Sequence, residues 1–245
     1  MVSGIHDLKP SYFGGTAMVD ISVIIPYHQE REYLFDAIES YEAQEFTGTS
    51  ELILSHNPLF TLGQNFNAGV AKAKGKYIKV LPDDDLLTPN CLQDLFDAAL
   101  ASDADLIFAQ SLNINEGVKS TVTGIEDTNL WTPPDIEFTF ENLLERNFIH
   151  GGTTLYRTEM FLALRGYDES VWAAEEYEFH LKCLCNGYRV YYTPKVVFHY
   201  RMWLGSKSIQ DKINGMVKLS HKDKRRDLVD SFRDKYRNLW GELNG

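Results

Sequence analysis

Three consecutive carboxylates, Asp83, Asp84 and Asp85, stand between Val80-Leu81-Pro82 and Leu86-Leu87. The run before them, Tyr77-Ile78-Lys79-Val80-Leu81, has the length and composition of a buried strand, which puts the carboxylates at its C-terminal end. In open α/β sheets that edge is where ligands bind. Adjacent carboxylates repel one another, so a cation is needed to hold them together. Hard oxygen donors select Mg2+ or Mn2+, here carrying a diphosphate. The competing reading is a solvated turn that caps the next helix, for which Thr88-Pro89-Asn90 is a good start.

The surrounding elements must position that triplet. Ile21-Ser22-Val23-Ile24-Ile25, stopped by Pro26, reads as a buried parallel strand. A helix is expected over about 30–45, with Leu34, Ala37, Ile38 and Tyr41 on one face, followed by a strand at Glu51–Ser55 and a helix over 65–74. After the triplet, Leu92, Leu95, Phe96, Ala99 and Leu100 recur at helical spacing over 90–101, and Asp105–Ala109 is a fourth strand. This β-α-β-α-β-α-β order predicts an α/β fold whose mostly parallel, Rossmann-like sheet is flanked by helices. The rhythm breaks after Gln110. Residues 113–140 are polar and turn-rich and read as a substrate-facing loop. Helices are expected near 141–147, 158–164 and 174–186, the last closed by Gly187. Strand-like segments at Tyr188–Tyr192 and Lys195–Tyr200 are separated by Pro194.

With 44% hydrophobic residues and 13% aromatic, the 245-residue chain can bury a core. A formal charge of −11 argues against a nucleic-acid surface. From Ser206 to Gly245, ten Lys or Arg stand against six Asp or Glu, so this tail is +4 and the remainder −15. The tail holds Met216, Val217 and Leu219, then a basic cluster of Lys222, Lys224, Arg225 and Arg226. Leu228, Val229, Phe232, Tyr236 and Leu239 follow as an amphipathic stripe. Such a helix is expected to pack back on the acidic body or to pair with a second copy, in preference to an anionic membrane, because the basic cluster is short. Cys91, Cys183 and Cys185 lack paired spacing and read as reduced and packed, which fits the cytoplasm. With no signal-like N-terminus and no apolar stretch of about 18 residues, a soluble protein is expected.

Six segments in order carry a resemblance. They are Ser22–Tyr27; Asn67-Ala68-Gly69 with Ala73–Ile78; Pro82–Pro89; Arg165-Gly166-Tyr167-Asp168-Glu169-Ser170; Glu175–Phe179; and Phe198–Arg201 with Ser206-Lys207-Ser208. Together they resemble the family-2 glycosyltransferases, inverting enzymes of GT-A fold that move a sugar from a nucleotide diphosphate to an acceptor hydroxyl. The resemblance implies an N-terminal extension (1–20), a nucleotide-sugar-binding half (21–110), an acceptor-binding and catalytic half of the same domain (111–208) and a helical C-terminal tail (209–245). It implies a UDP-sugar as donor, a saccharide or glycan as acceptor, and Mn2+ or Mg2+ as cofactor.

Residue by residue, the resemblance puts Pro26, Tyr27 and Asn67 on the nucleotide, Asp84 on the metal, Asp83 on the ribose or metal, and Asp85 on the metal or its turn. Glu176 falls at the general-base position, where a helix N-terminus keeps a carboxylate ionised; a first-turn Glu is favoured there for the same reason without chemistry. Glu175 and Glu178 then bind acceptor or orient Glu176. His199 falls where a metal or diphosphate contact occurs, against the alternative of a core histidine. Arg201 offers a bidentate fork to the diphosphate, against the alternative of a surface arginine. Trp131, Trp172 and Trp203 are candidates to stack on sugars. Two departures stand out. The usual Asp after the second strand, which holds the uracil, is replaced by Leu54-Ser55-His56-Asn57-Pro58, so the base contact passes to Ser55, His56 or Asn57. Pro82 also stands where a first Asp is common. The alternatives are a sugar-nucleotide nucleotidyltransferase, for which the Gly-rich basic loop after Ile25 is missing, and a catalytically degenerate GT-A domain that binds glycans or scaffolds partners.

Overall fold

The computed structural model describes residues 19–116, 128–206, 210 and 219–244. Its first half runs β1 (Val19–Tyr27), α1 (Glu32–Glu42), β2 (Ser50–His56), α2 (Leu62–Val70), β3 (Gly75–Val80), β4 (Leu86–Leu87) and α3 (Cys91–Ser102). The second half runs β5 (Leu106–Glu116), β6 (Thr128–Trp131), α4 (Phe140–Glu145), β7 (Leu155–Arg157), α5 (Thr158–Ala163), α6 (Glu175–Cys185), β8 (Val190–Trp203) and α7 (Leu219–Asn244).

β1 is flanked by β2 and β3, both parallel to it. It is buried from Ile21 to Tyr27 because both sheet faces are covered. Successive side chains serve opposite faces. Ile24, Ile78, Leu106, Phe108 and Tyr156 join one core with Phe66 and Val70 of α2, while Val23, Ile25, Tyr77, Ile107 and Leu155 join the other with Leu34 of α1 and Leu92 and Leu95 of α3. Gly75 opens β3 where a Cβ would meet the Ser22 backbone nitrogen at 2.4 Å, and its own N–H donates to Ser22 Oγ at 2.8 Å. This close approach is what the Gly-Lys-Tyr-Ile spacing encodes.

The sheet order is β2-β1-β3-β7-β5-β8-β4, with β6 on β5. The parallel winding therefore stops at β3: the three-residue β7 enters antiparallel between β3 and β5, and the sheet is mixed. The expected loop over 113–140 is in part strand, since β5 continues to Glu116 and pairs antiparallel with β6, Ser111 opposite Trp131. One wet face at a sheet edge gives such strands a polar composition that imitates a loop. The two segments around Pro194 are one strand, β8, parallel to β5. Their pairing shifts register there: Phe108 faces Tyr192, Gln110 faces Val196 and Ser111 faces Phe198. A bulge accommodates the residue that cannot donate to a ladder.

The tail helix α7 packs back on the body. Phe232 and Tyr236 are buried, and Trp240 lies 4.6 Å from the Phe140 ring of α4. Arg233 donates to the Glu145 carbonyl at 3.0 Å. Lys207, Ser208, Met216, Val217 and the side chains of Lys222, Lys224 and Arg225 lie outside the described residues, as does most of the 1–20 extension. All three cysteines are buried and unpaired. Among the described residues no helix is long and apolar enough to cross a membrane.

Candidate active site

The triplet is not a solvated turn, because Asp83 and Asp85 are only 7% and 2% exposed. Its three carboxylates point to different partners. Asp83 faces the Arg31 guanidinium at 3.9 Å, and burial, reinforced by Asp84, pushes its pKa up to about 6. Asp84 accepts a hydrogen bond from Trp203 Nε1 at 2.9 Å. Asp85 turns inward and accepts the Arg201 backbone N–H at 2.8 Å; burial first, and Asp84 second, hold its pKa well above the carboxylate range. Asp85 therefore fastens the triplet to β8.

β8 brings His199 beside the triplet, opposite Leu86. The ring is half-buried and burial lowers its pKa, which favours the neutral imidazole that a cation would need. Arg201 is arranged otherwise than expected. Its guanidinium, 7% exposed, pairs with Asp36 at 2.9 Å and Glu116 at 3.5 Å and lies 4.3 Å from the Tyr33 ring centroid. Its fork faces two carboxylates, one from α1 and one from β5, and so braces those elements against β8. A second cation at this edge is Arg31, which lies over Trp203 at 5.4 Å and 3.9 Å from Asp83. Sequence reasoning passed it over, although a basic residue just after β1 is a visible signal.

At the ends of β1 and β2, Pro26 pairs with Ser55 and Tyr27 with His56. The Tyr27 and His56 rings stack at 4.6 Å and 16°, and His56 Nε2 lies 3.0 Å from the His28 carbonyl oxygen. Ser55 is buried beside Gly69. Asn57 Oδ1 accepts the Leu59 N–H at 3.0 Å, and the Asn57 carbonyl accepts from Asn65 Nδ2 at 3.0 Å. Asn67 is a clamp: it donates to the Tyr167 carbonyl at 2.9 Å and accepts the Tyr167 N–H at 3.0 Å. Two of the recognised motifs are thereby tied to each other.

Glu176 lies in the first turn of α6 and rests on the 3-10 turn Gly151–Thr153; a Cβ at Gly151 would meet its Cγ at 2.8 Å. Glu175 sits beside Gly63 of α2. Glu178 is fully buried and held by the Tyr236 hydroxyl and by Lys235 at 3.1 Å, which rules out acceptor contact and makes it the anchor of α7. The triplet and Glu176 are joined by contacts: Leu86 pairs with His199, the adjacent Tyr200 ring lies 5.1 Å from His150, and His150 precedes Gly151. The His150 ring also neighbours Trp131 at 5.7 Å, its Nδ1 is buried without a hydrogen-bond partner, and burial lowers its pKa to about 4. Trp172 is 42% exposed. His150 is a second residue the sequence did not single out; only its place before a Gly-Gly pair hinted at it.

Among the described residues no three His, Cys, Asp or Glu side chains gather as a metal cage. Asp84 keeps Oδ1 outside its hydrogen bond with Trp203, and His199 is adjacent across β4. That donor set fits a cation that takes one or two protein ligands and completes its shell with phosphate oxygens and water.

The mixed sheet, helical layers and motif-bearing edge define a GT-A type α/β fold. Residues 50–165 match the model of glycosyl transferase family 2. Over that stretch the chain is similar to the family-2 glycosyltransferases. Among solved structures it is similar to S. aureus TarS 1–349 in complex with UDP-GlcNAc (TM-score 0.59, 18% identity, 77% of this chain and 60% of that one). It is also similar to TarS 1–349 in complex with UDP (TM-score 0.58, 18% identity, 80% and 64%) and to a longer TarS structure (TM-score 0.57, 18% identity, 76% and 37%). The chain thus spans 37 to 64% of the length of these TarS structures. No curated protein matched the chain.

Proposed function

We propose that the protein is an inverting glycosyltransferase that moves a sugar from a nucleotide diphosphate, a uridine nucleotide first, to a hydroxyl of a saccharide acceptor. What supports this reading is the placement of the carboxylate triplet just after β3 and of the Tyr27–His56 stack at the ends of the parallel strands β1 and β2, with Glu176 in the first turn of α6. The UDP and UDP-GlcNAc complexes of TarS, which share the fold, support the uridine donor. In this reading the base lies against Tyr27 and His56, with Ser55 and Asn57 at its rim and Pro26 beneath, while Asp83 and Arg31 border the ribose and diphosphate. Asp84 and His199 would hold Mg2+ or Mn2+, which when bound offsets the charge gathering on the leaving diphosphate. Glu176 takes the proton of the acceptor hydroxyl while that oxygen attacks the anomeric carbon opposite the departing diphosphate, so the configuration inverts. The three buried thiols suit a reducing compartment such as the cytoplasm.

The test is a thermal-shift panel of nucleoside diphosphates with and without Mn2+. Binding at 100 times Kd adds about 2.7 kcal/mol of stability, a shift of several degrees. UDP is expected to stabilise the protein only with the cation present, and Asp84→Asn to abolish that dependence. No shift with any nucleotide would leave a degenerate domain as the surviving account.

A further inference from the structure

Lys79 is a charged residue in the middle of β3 with no exposed surface. Its ammonium donates to the carbonyls of Val80 and Gly152, each at 2.6 Å, and lies 5.2 Å from the Phe198 ring centroid. Burial lowers its pKa to about 8. An apolar side chain of similar length would fill this place without desolvating a charge, so stability alone is a poor reason for an ammonium here. What it holds is more informative.

Gly152 belongs to the 3-10 turn Gly151–Thr153, which is wedged between two surfaces. A Cβ at Gly152 would meet Phe198 Cε1 at 2.3 Å, on the Lys79 side; a Cβ at Gly151 would meet Glu176 Cγ at 2.8 Å and Oε1 at 3.1 Å, on the other. The rest of the turn is closed by hydroxyls: Thr153 donates to the His150 carbonyl at 2.8 Å and Thr154 to the Gly151 carbonyl at 2.6 Å. Lys79 supplies the charge-assisted bond in this assembly. It also lies on the strand that ends in the carboxylate triplet.

We propose that Lys79 is a positioning residue for sugar transfer: by gripping the Gly152 carbonyl it fixes the turn on which Glu176 rests, and so sets that carboxylate against the acceptor hydroxyl. The inference rests on the general-base role proposed for Glu176. A displacement of order 1 Å at a reacting group costs on the order of 10²-fold in rate. Lys79→Met, which keeps the apolar stem, is therefore expected to lose about that much kcat while UDP affinity is kept, and the amides of residues 151–153 should exchange hydrogen faster. Gly151→Ala pushes on Glu176 directly and is expected to give the same split between kcat and UDP affinity; it carries the kinetic test if Lys79→Met does not fold. Unchanged kcat in these variants, or a loss of UDP affinity as large as the loss of kcat, overturns the proposal. Should Glu176→Gln transfer sugar like the parent, the base role fails by itself. Hydrogen exchange then still judges Lys79, and unchanged protection of residues 151–153 in Lys79→Met refutes its grip on the turn.

Discussion

The attachment of α7 to the body can be tested at a single hydroxyl. Glu178 is a carboxylate with no exposed surface, one turn into the helix that carries Glu176. Its Oε1 accepts from the Tyr236 hydroxyl and from Lys235, while among the described residues Oε2 has only Lys182, at 3.6 Å. Lys235 is half-exposed, so water competes for its ammonium, whereas Tyr236 is buried and no water can replace its hydroxyl. Removing a donor to a buried charged acceptor costs about 1.5–3 kcal/mol. Tyr236→Phe keeps the ring and its packing, so this loss should appear almost undiluted in urea denaturation followed by far-UV circular dichroism. In a Glu178→Gln background no buried charge is left stranded, and the same substitution should cost much less. A Tyr236→Phe protein within about 0.5 kcal/mol of the parent, the range of an ordinary surface change, would refute the reasoning. Equal costs in the two backgrounds would do the same.

Three further outcomes are expected. Glu176→Gln should lower kcat by about 10²–10⁴-fold with UDP affinity intact, checked by steady-state transfer and calorimetry; an equal loss of affinity would move Glu176 to the donor. Asp83 titrates at about 6 when folded against 3.8 as a free side chain, so the folded state binds its proton more tightly and this contribution is present below pH 4 and lost as pH rises through 6. Asp83→Asn should accordingly raise the nucleotide-free unfolding midpoint at pH 8 and leave it unaltered near pH 4; a reversed trend refutes the assignment. Truncation after Ser208 strips Phe232 and Tyr236 from the core, so the product should melt earlier, and neither parent nor product should sediment with anionic liposomes; strong, salt-sensitive sedimentation of the parent that disappears on truncation would contradict this.

Much of the frame was legible in the sequence because its strands are buried on both sides: Ile21–Ile25 and Tyr77–Leu81 announce themselves by runs in which all but one residue are apolar. Boundaries governed by polar contacts were harder. Apolar periodicity starts α2 near residue 65, whereas Thr61 and Gln64 form a capping box that starts it at Leu62. β7 has three residues and is a strand only because β3 and β5 leave it a slot. In the site, the positions of the motifs were legible and several roles were not. Asn67, Asp85, Glu178 and Arg201 are each decided by a partner distant in sequence: Tyr167, Arg201, Tyr236 and Asp36. A polar side chain announces that it needs a partner, but the fold chooses which. Lys79 shows the same limit, since its charge within an apolar run is plain while its destination, one carbonyl on a distant turn, is not.

The register shift opposite Pro194 has an evolutionary consequence. In an uninterrupted ladder, a one-residue slip anywhere along a strand would turn every later side chain to the opposite face. Here the offset is absorbed between Tyr192 and Phe198, before the stretch that carries His199, Arg201 and Trp203. The portion of β8 before Pro194 can therefore drift in length and composition while the portion beside the triplet keeps its phase. One strand behaves as two inheritable modules, and variation in how the fold is filled is insulated from variation in what it does.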